Sequence, residues 1–523
     1  HAFHSDTDTE VILAAYARWG RSAVERLRGM FAFALWDASE QRMFLARDRF
    51  GIKPLFLARD GASIAFASEI KALVAAGAPF RPSATASAAY LALGRLPVAS
   101  GGPTFFEGIE AAHAAHAITV TRDSIEATRY WQLPEPGGLK PAAPRDVLAQ
   151  YADVLTDALR IHLRADVPIG TCLSGGLDSS SIVALAGKLM RDEHPAALER
   201  MGAHQQTFSA VYEDDGVWNE RKHIDRVIAA TGAAPNFVIP TREQLLRDLD
   251  ALVWHQDEPF TTTSMFAQWC VMRLARQRGV TVLLDGQGAD EVLGGYHSIY
   301  GPHLRDLVRR GRLVAALREA RGARNVAGIA GERLLLNELV RPALAPSLRR
   351  RRAHAFEERI ASSALTPSAA ALLRDAWNDG AMREMQTDHA GADDYLRFAV
   401  TSDPLPNLLH YEDRNSMAFS IEGRVPFLDH VLVEFVFRHA GAFRVHDGWT
   451  KWLQRVTIDP LLPREIAWRR DKVGFDTPQG SWMRDLGPVF DDAIAAAPAV
   501  ADFGDVSRIR RETDPSRRWR WLC

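Results

Sequence analysis

An α/β protein of two unlike units is predicted by three observations. Short apolar segments recur at close spacing near the start. After residue 148 the pattern changes to strands alternating with longer helices. Beyond Tyr300 it is mostly helical. The chain has 523 residues, more than one ordinary domain holds, so two or three domains with sizeable cores are expected.

The elements follow in order. A helix carrying Val11, Leu13, Ala14, Ala15 and Tyr16, within an apolar run from Val11 to Trp19, is expected near the start, capped by Ser5 or Thr9. Apolar runs 30–36, 42–46, 54–58 and 63–67 read as four short strands of one antiparallel layer. Residues 78–148 read as irregular, and Pro134-Glu135-Pro136-Gly137-Gly138 with Pro141 as a linker. A helix is expected over 147–164. Strands are then expected at 167–173, 207–212, 236–239 and 280–285, with helices at 177–190, 221–231, 242–254 and 264–277. Such alternation predicts a doubly wound parallel sheet. The Arg349–Arg352 run reads as a solvated helix face or helix end rather than a nucleic-acid contact.

Bulk properties exclude several classes. Lys+Arg is 63 against Asp+Glu 65, a balance that supports neither nucleic acid nor an anionic membrane as main partner. No apolar run approaches the roughly 20 residues of a membrane span. Three cysteines, Cys172, Cys270 and Cys523, form no disulfide framework and fit a reducing, cytoplasmic setting. His1 rather than Met opens the sequence, and residues 1–20 read as the middle of a domain, so a missing true start is expected.

The strongest local signal is Cys172-Leu173-Ser174-Gly175-Gly176-Leu177-Asp178-Ser179-Ser180, between a predicted strand and a predicted helix. Two glycines permit a tight turn and close backbone approach. Exposed N–H groups at a helix start make an anion site, and Ser174, Ser179 and Ser180 add hydroxyls. Asp178 would repel a phosphate unless a cation such as Mg²⁺ stood between them. The ordinary P-loop pattern is absent. The plainer alternative is a tight turn with capping serines. A second constellation, Asp285-Gly286-Gln287-Gly288-Ala289-Asp290-Glu291, follows the last predicted strand. In a parallel sheet both loops lie at the carboxyl edge, which makes Asp290 a candidate second Mg²⁺ ligand and lets Gly286 and Gly288 approach a nucleotide. A Gly-rich turn with a capping Asp is the bland reading.

These residues carry a resemblance. SGGLDSS (174–180), DEPF (257–260), LLDGQGADEVLGGY (283–296), EDRNSMAFSIEGRVPFLDH (412–430), Lys451-Trp452-Leu453 and KVGFDTP (472–478) resemble, in order, the synthetase domain of the class II, glutamine-hydrolysing asparagine synthetases, members of the N-type ATP pyrophosphatases. DTEVIL (8–13), ERLRGMFAFALWD (25–37), ARDRFGIKPLF (46–56) and FASEIKAL (66–73) resemble the family's N-terminal glutaminase. The resemblance implies a partial Ntn-type glutaminase, an α+β sandwich, over 1–130. A linker over 131–148 and an ATP pyrophosphatase domain with a helical C-terminal part over 149–523 follow.

The resemblance also implies roles. ATP is expected at Leu173, Ser174, Gly175, Gly176, Asp178 and Ser179, with Ala210, Asp285 and Gly286 near the adenosine. Asp178 and Asp290 would hold Mg²⁺ on the pyrophosphate, Lys451 would neutralise the leaving pyrophosphate, and Arg414 would orient the substrate carboxylate or phosphates. The 424–429 segment is expected to pack rather than react. The implied substrates are aspartate, ATP and glutamine or ammonia, and the implied product is asparagine by way of β-aspartyl-AMP. A homodimer is left open. Two departures stand out. The family's glutaminase nucleophile is an N-terminal cysteine, yet no cysteine precedes Cys172, and only Asp8 carries over as a glutamine-binding residue, so the chain as written is not expected to hydrolyse glutamine. Gln287 stands where several members carry glutamate, and an amide cannot take a proton. The alternatives are a β-lactam synthetase-like or other carboxylate-activating amide ligase, and a non-catalytic nucleotide-binding scaffold.

Overall fold

A computed structural model describes the chain apart from residues 1, 62, 98–99, 136–143, 194–204, 214–215, 217, 381, 383–388, 440–442 and 471–473. Most of the expected 134–141 linker therefore lies outside the described residues. The first helix, Asp8–Trp19, follows Thr7, whose side chain makes no capping bond. The expected caps Ser5 and Thr9 are corrected. Glu10 reaches back instead, its carboxylate accepting from the backbone N–H of His4 (2.9 Å) and Ser5 (2.7 Å).

Strands β1 (Ala32–Asp37), β2 (Arg42–Arg47), β3 (Phe56–Asp60), β4 (Ser63–Ala67), β5 (Gly102–Pro103), β6 (Ile109–Ala111), β7 (His116–Val120) and β8 (Ile125–Arg129) form two antiparallel sheets, ordered β1-β2-β7-β8 and β4-β3-β6-β5. Two expectations are corrected here. The four early strands do not share one layer, and residues 78–148 are not irregular, since they supply β5–β8 and the helix Ala84–Leu93. The pleat explains the split. Leu45, Leu57 and Ile118 cluster between the sheets. Phe44 points the other way, beside Tyr16 of the first helix, and Phe56 packs with Ile70 and Leu73 of the helix Ile70–Ala75. Both faces of each sheet are apolar, so helices must cover the outer ones.

The second unit holds β9 (Ile169–Cys172), β10 (Gln206–Ala210), β11 (Ala234–Val238), β12 (Val282–Leu284) and β13 (Glu422–Arg424), all parallel, in the order β11-β10-β9-β12-β13. Alternation places Leu283 and Phe208 against Val271 and Met272 of the helix Ser264–Gln277, while Val282 and Leu284 join Ile169, Ile182 and Leu155 on the opposite face. Helices thus cover both sides, and the doubly wound sheet is present. The expected strands and helices recur within a few residues, and 221–231 and 264–277 match to the residue. Of the 424–429 segment expected to pack, Arg424 ends strand β13 and Val425, Phe427 and Leu428 join the core. From Tyr300 onward the chain is mainly helical. Arg350 and Arg351 are exposed on the helix Gly331–Ser362, and the side chain of Arg349 lies outside the described residues.

Polar pairs tie the N-terminal unit to the second one. Lys53 meets Asp413 at 3.3 Å, Lys71 meets Asp257 at 2.9 Å, and the Tyr90 hydroxyl donates to the carbonyl of Phe260 at 2.7 Å. Asp429 both caps the helix His430–Arg438, accepting from Val431 N–H at 3.1 Å and Leu432 N–H at 3.3 Å, and receives Arg28 Nε at 2.7 Å. Losing a cap costs about 1 kcal/mol, and a charged hydrogen bond about 1.5–3 kcal/mol. Asp429→Ala is therefore expected to destabilise the fold by roughly 2–4 kcal/mol, read as a lower midpoint in thermal or urea unfolding.

Candidate active site

Strand order reverses between β9 and β12, since β10 and β11 lie to one side and β13 to the other. Ligands of open α/β sheets bind outside the carboxyl ends of strands at such a switch point. A cleft of about 410 Å³ opens there. Loops after β9 and β12 line it, as does Ala210 at the end of β10. The cleft takes in Leu173, Ser174, Gly176, Asp178, Ser179, Ala210, Asp285, Gly286, Asp290 and Lys451. Ten of the residues expected from sequence thus meet in one cavity, though they come from positions 173 to 451.

The loop after β9 is built by its small residues. Ser174 N–H and Oγ approach Ser179 Oγ at 3.1 and 3.0 Å, and the helix Leu177–Glu193 starts at once. Its N-terminus brings the positive end of a 17-residue helix to the cleft. Gly175 has φ 75°, and a Cβ there would come within 2.8 Å of the His223 Cβ, so only glycine fits without movement. Gly175 itself does not line the cleft; its carbonyl accepts from Arg469 Nη1 at 3.3 Å. Two further expectations are corrected. The Ser180 hydroxyl is fully buried away from the cavity. Gly288 (φ 86°) packs against Leu428 at the start of the helix Ala289–Leu293 instead of facing the cleft.

At the other wall stands an ionic trio of a buried lysine and two half-buried aspartates. Lys451 Nζ lies 2.5 Å from Asp178 Oδ2 and 2.6 Å from Asp290 Oδ1. The lysine is 3% exposed. Burial works against its charge, but Asp178 and Asp290 outweigh burial and hold its pKa above the ordinary lysine value. Lys451 also has left-handed backbone, φ 51° and ψ 34°, a conformation that costs a non-glycine residue roughly 1–3 kcal/mol. Gly295 closes this corner, since a methyl there would overlap the Asp290 carboxylate and Lys451 Cε.

Mg²⁺ can be tested against this donor set. Asp178 Oδ1 is buried without a hydrogen-bond partner among the described residues, and Asp290 faces the same point through Lys451. No group of three His, Cys, Asp or Glu suited to a metal occurs among the described residues. Two carboxylates beside a helix N-terminus suited to an anion nonetheless fit Mg²⁺, which takes one or two protein carboxylates and completes its shell with phosphate oxygens and water.

Other expected residues lie elsewhere. Arg414 is 3% exposed, paired with Asp413 at 2.6 Å and with Glu69 of the N-terminal unit at 3.4 Å, and does not line the cleft. Its charge is committed to the contact between the units. Asp8 sits exposed at the start of the first helix. Sequence reasoning missed Arg455 and Arg469, which line the cleft. Burial lowers Arg455 to about 10, against the pull of Asp178 and Asp290. A basic residue after a motif lysine and an RR pair were the available signals, but each also reads as surface charge.

Glu291 falls behind this wall. It is 1% exposed and accepts from the Tyr296 hydroxyl at 2.5 Å. Burial, then the neighbouring Asp290, raise its carboxyl to about 7, against Tyr296 and Lys451. The folded state therefore keeps a proton that the unfolded chain gives up from about pH 4.5. Stability from this group is full below that pH and is lost as pH rises through about 7. Glu291→Gln is expected to remove this loss, stabilising the protein at pH 8 by at most about 3 kcal/mol with little change at pH 5. Unfolding midpoints of both proteins at the two pH values check it.

Comparison with known proteins adds the following. The family described as Asparagine synthase matches residues 150–520, and that described as Glutamine amidotransferase domain matches residues 1–131. Asparagine synthetase (glutamine-hydrolyzing) 3 of Bacillus subtilis is 30% identical over 486 residues, 90% of this chain and 71% of that protein. Asparagine synthetase (glutamine-hydrolyzing) 1 of the same organism is 29% identical, covering 92% and 73%. Amidase chyE of Penicillium rubens is 27% identical, covering 92% and 74%. The chain spans 56% of a solved glutamine phosphoribosylpyrophosphate amidotransferase of B. subtilis, at 12% identity over 55% of this chain and a TM-score of 0.19, too low to bear on the fold.

Proposed function

The chain belongs to the asparagine synthase family, and from that premise we propose that it converts L-aspartate, ATP and ammonia to L-asparagine, AMP and pyrophosphate by way of β-aspartyl-AMP. Residues 1–130 serve as a glutamine amidotransferase-type unit, 131–148 as a linker and 149–523 as the synthetase. Nitrogen comes from glutamine or free ammonium, and Asp8 would meet the glutamine amino group.

The observation that carries this reading is one lysine held between Asp178 and Asp290 in the wall of a cleft that the Ser-Gly-Gly turn also borders. Nucleotide phosphates lie on the loop 173–179, where backbone N–H groups and the helix start favour an anion. Adenosine lies toward Ala210 and Asp285-Gly286. The aspartate carboxylate attacks the α-phosphorus in line, and Lys451 offsets charge growing on the departing pyrophosphate. When bound, Mg²⁺ held by Asp178 and Asp290 would withdraw charge from the same phosphate oxygens. The cleft walls shield the acyl-adenylate from water. Ammonia then attacks the acyl carbon and AMP leaves. The similarity to an amidase favours a second reading, a related amide ligase acting on another acid. A β-lactam synthetase-like cyclase belongs to that class.

The test is pyrophosphate release with ATP, Mg²⁺, ammonium and a panel of carboxylic acids. Aspartate-dependent release with equimolar asparagine is expected. Release that depends on a different acid replaces aspartate as the acceptor, and no release with any acid leaves a nucleotide-binding scaffold as the better account.

A further inference from the structure

A second, far smaller cavity lies where the N-terminal unit meets the helix Leu405–Met417. Lys53, Glu412, Asp413, Ser416, Gly423 and Val425 are among its walls. Its volume of about 10 Å³ is close to what a single water needs. Ammonium and ammonia are of that size. Glu412 is 3% exposed, and neither of its carboxylate oxygens has a hydrogen-bond partner among the described residues. Such a buried acid, facing a space for one small molecule, calls for a ligand rich in N–H donors.

The surrounding charges do not supply them. Lys53 is turned to Asp413, at 3.3 Å, and Arg414 to Asp413 and Glu69. Across the wall, Asp285 raises the Glu412 carboxyl further, and Cys172 lies within the field of both acids. Burial comes first in holding Glu412 well above the usual carboxylate range, and Lys53 only partly opposes it. Gly423 matters sterically, because a Cβ there would come within 3.3 Å of Glu412 Oε1.

The same helix also borders the ATP cleft, through Leu408 and Tyr411. Beside it, Asp285, which lines the cleft, donates its N–H to the carbonyl of Arg424 at 2.8 Å, so the strand bearing Gly423 runs next to that lining residue. Glu412 therefore stands in the partition between the junction of the two units and the place where an activated acyl group would form. In the cleft, Gln287 offers no proton acceptor, and Asp178 and Asp290 are engaged by Lys451.

We propose that Glu412 binds ammonium in this small cavity and deprotonates it, delivering neutral ammonia to the acyl-adenylate. The inference rests on the adenylation reading above. Ammonium enters as the neutral acid releases its own proton to water, leaving carboxylate beside ammonium. One N–H bond then breaks, its electron pair stays on nitrogen, and the proton bonds to Oε of Glu412. Glutamic acid is regenerated and ammonia carries the lone pair onward. An ordinary carboxylate is too weak a base for this exchange, whereas one raised by burial is better matched.

The test uses the full chain with ammonium chloride as nitrogen donor and the isosteric substitution Glu412→Gln. Two reactions are measured: carboxylate-dependent exchange of pyrophosphate into ATP, which needs no nitrogen, and amide formation across ammonium concentration and pH. Exchange is expected to stay within about twofold, while amide formation at pH 7 falls by about 10²-fold or more with a raised KM for ammonium. The deficit should shrink toward pH 9, where free ammonia is plentiful, and Glu412→Asp should recover part of the rate. Amide formation with unchanged KM and pH profile in Glu412→Gln overturns the proposal. So does equal loss of both reactions, which marks a structural residue. Absence of exchange in the unsubstituted chain overturns the adenylation reading, and this inference falls with it.

Discussion

Asp178→Asn is expected to lower ATP-dependent amide formation by about 10³-fold, some 4 kcal/mol of transition-state stabilisation. The amide keeps the size of the side chain, so the loop and the helix start at Leu177 should persist. What it removes is the negative charge on two oxygens. One of these, Oδ2, receives Lys451 at 2.5 Å, and the other, Oδ1, is buried without a partner among the described residues. An orphaned carboxylate oxygen beside the proposed phosphate site suits a cation. The loss should therefore fall on kcat and on the Mg²⁺ concentration needed for half-maximal rate, with thermal stability little changed. Activity within tenfold of the parent, with the same Mg²⁺ dependence, would count against a metal role for Asp178.

The second large effect is expected at Lys451→Met. Methionine has a similar length and no charge, so it removes the cation while filling most of the space. Two consequences follow. In the proposed reaction the leaving pyrophosphate loses a buried positive partner as its charge grows, which is worth about 10²–10³-fold in kcat. Asp178 and Asp290 lose the group that holds them together, and breaking a buried ion pair costs about 3–5 kcal/mol. Without nucleotide, the variant should unfold at a lower temperature. Saturating ATP with Mg²⁺ should restore part of that midpoint, because a second cation can take the place between the acids. Lys451→Arg should not rescue catalysis, since a planar fork cannot replace a compact point charge at a contact of 2.5 and 2.6 Å. A variant that keeps its kcat removes Lys451 from the chemistry.

The sequence by itself determined the parts whose physics is local. Helices 221–231 and 264–277 were legible because apolar periodicity and their flanking residues act over one or two turns. The Ser174–Asp178 turn was legible because two glycines between a strand and a helix have few other uses. Asp290 and Lys451 were nameable through the resemblance, and the cleft brings both to Asp178. Only tertiary structure decided the rest. Sheet partners of β1–β4 depend on strands as short as Ile109–Ala111, whose three residues carry no periodic signal. Ser180, Gly175 and Gly288 sit in the right motifs, yet the direction in which each helix leaves its strand turns them to the core or behind the wall. Arg414 reads as a site residue, but its partner Glu69 lies 345 positions away in the other unit. Glu412 is an ordinary helix acid until packing buries its carboxylate with no hydrogen-bond partner among the described residues. Charge in a sequence is a property of one residue, whereas desolvation and pairing belong to whatever the fold brings beside it.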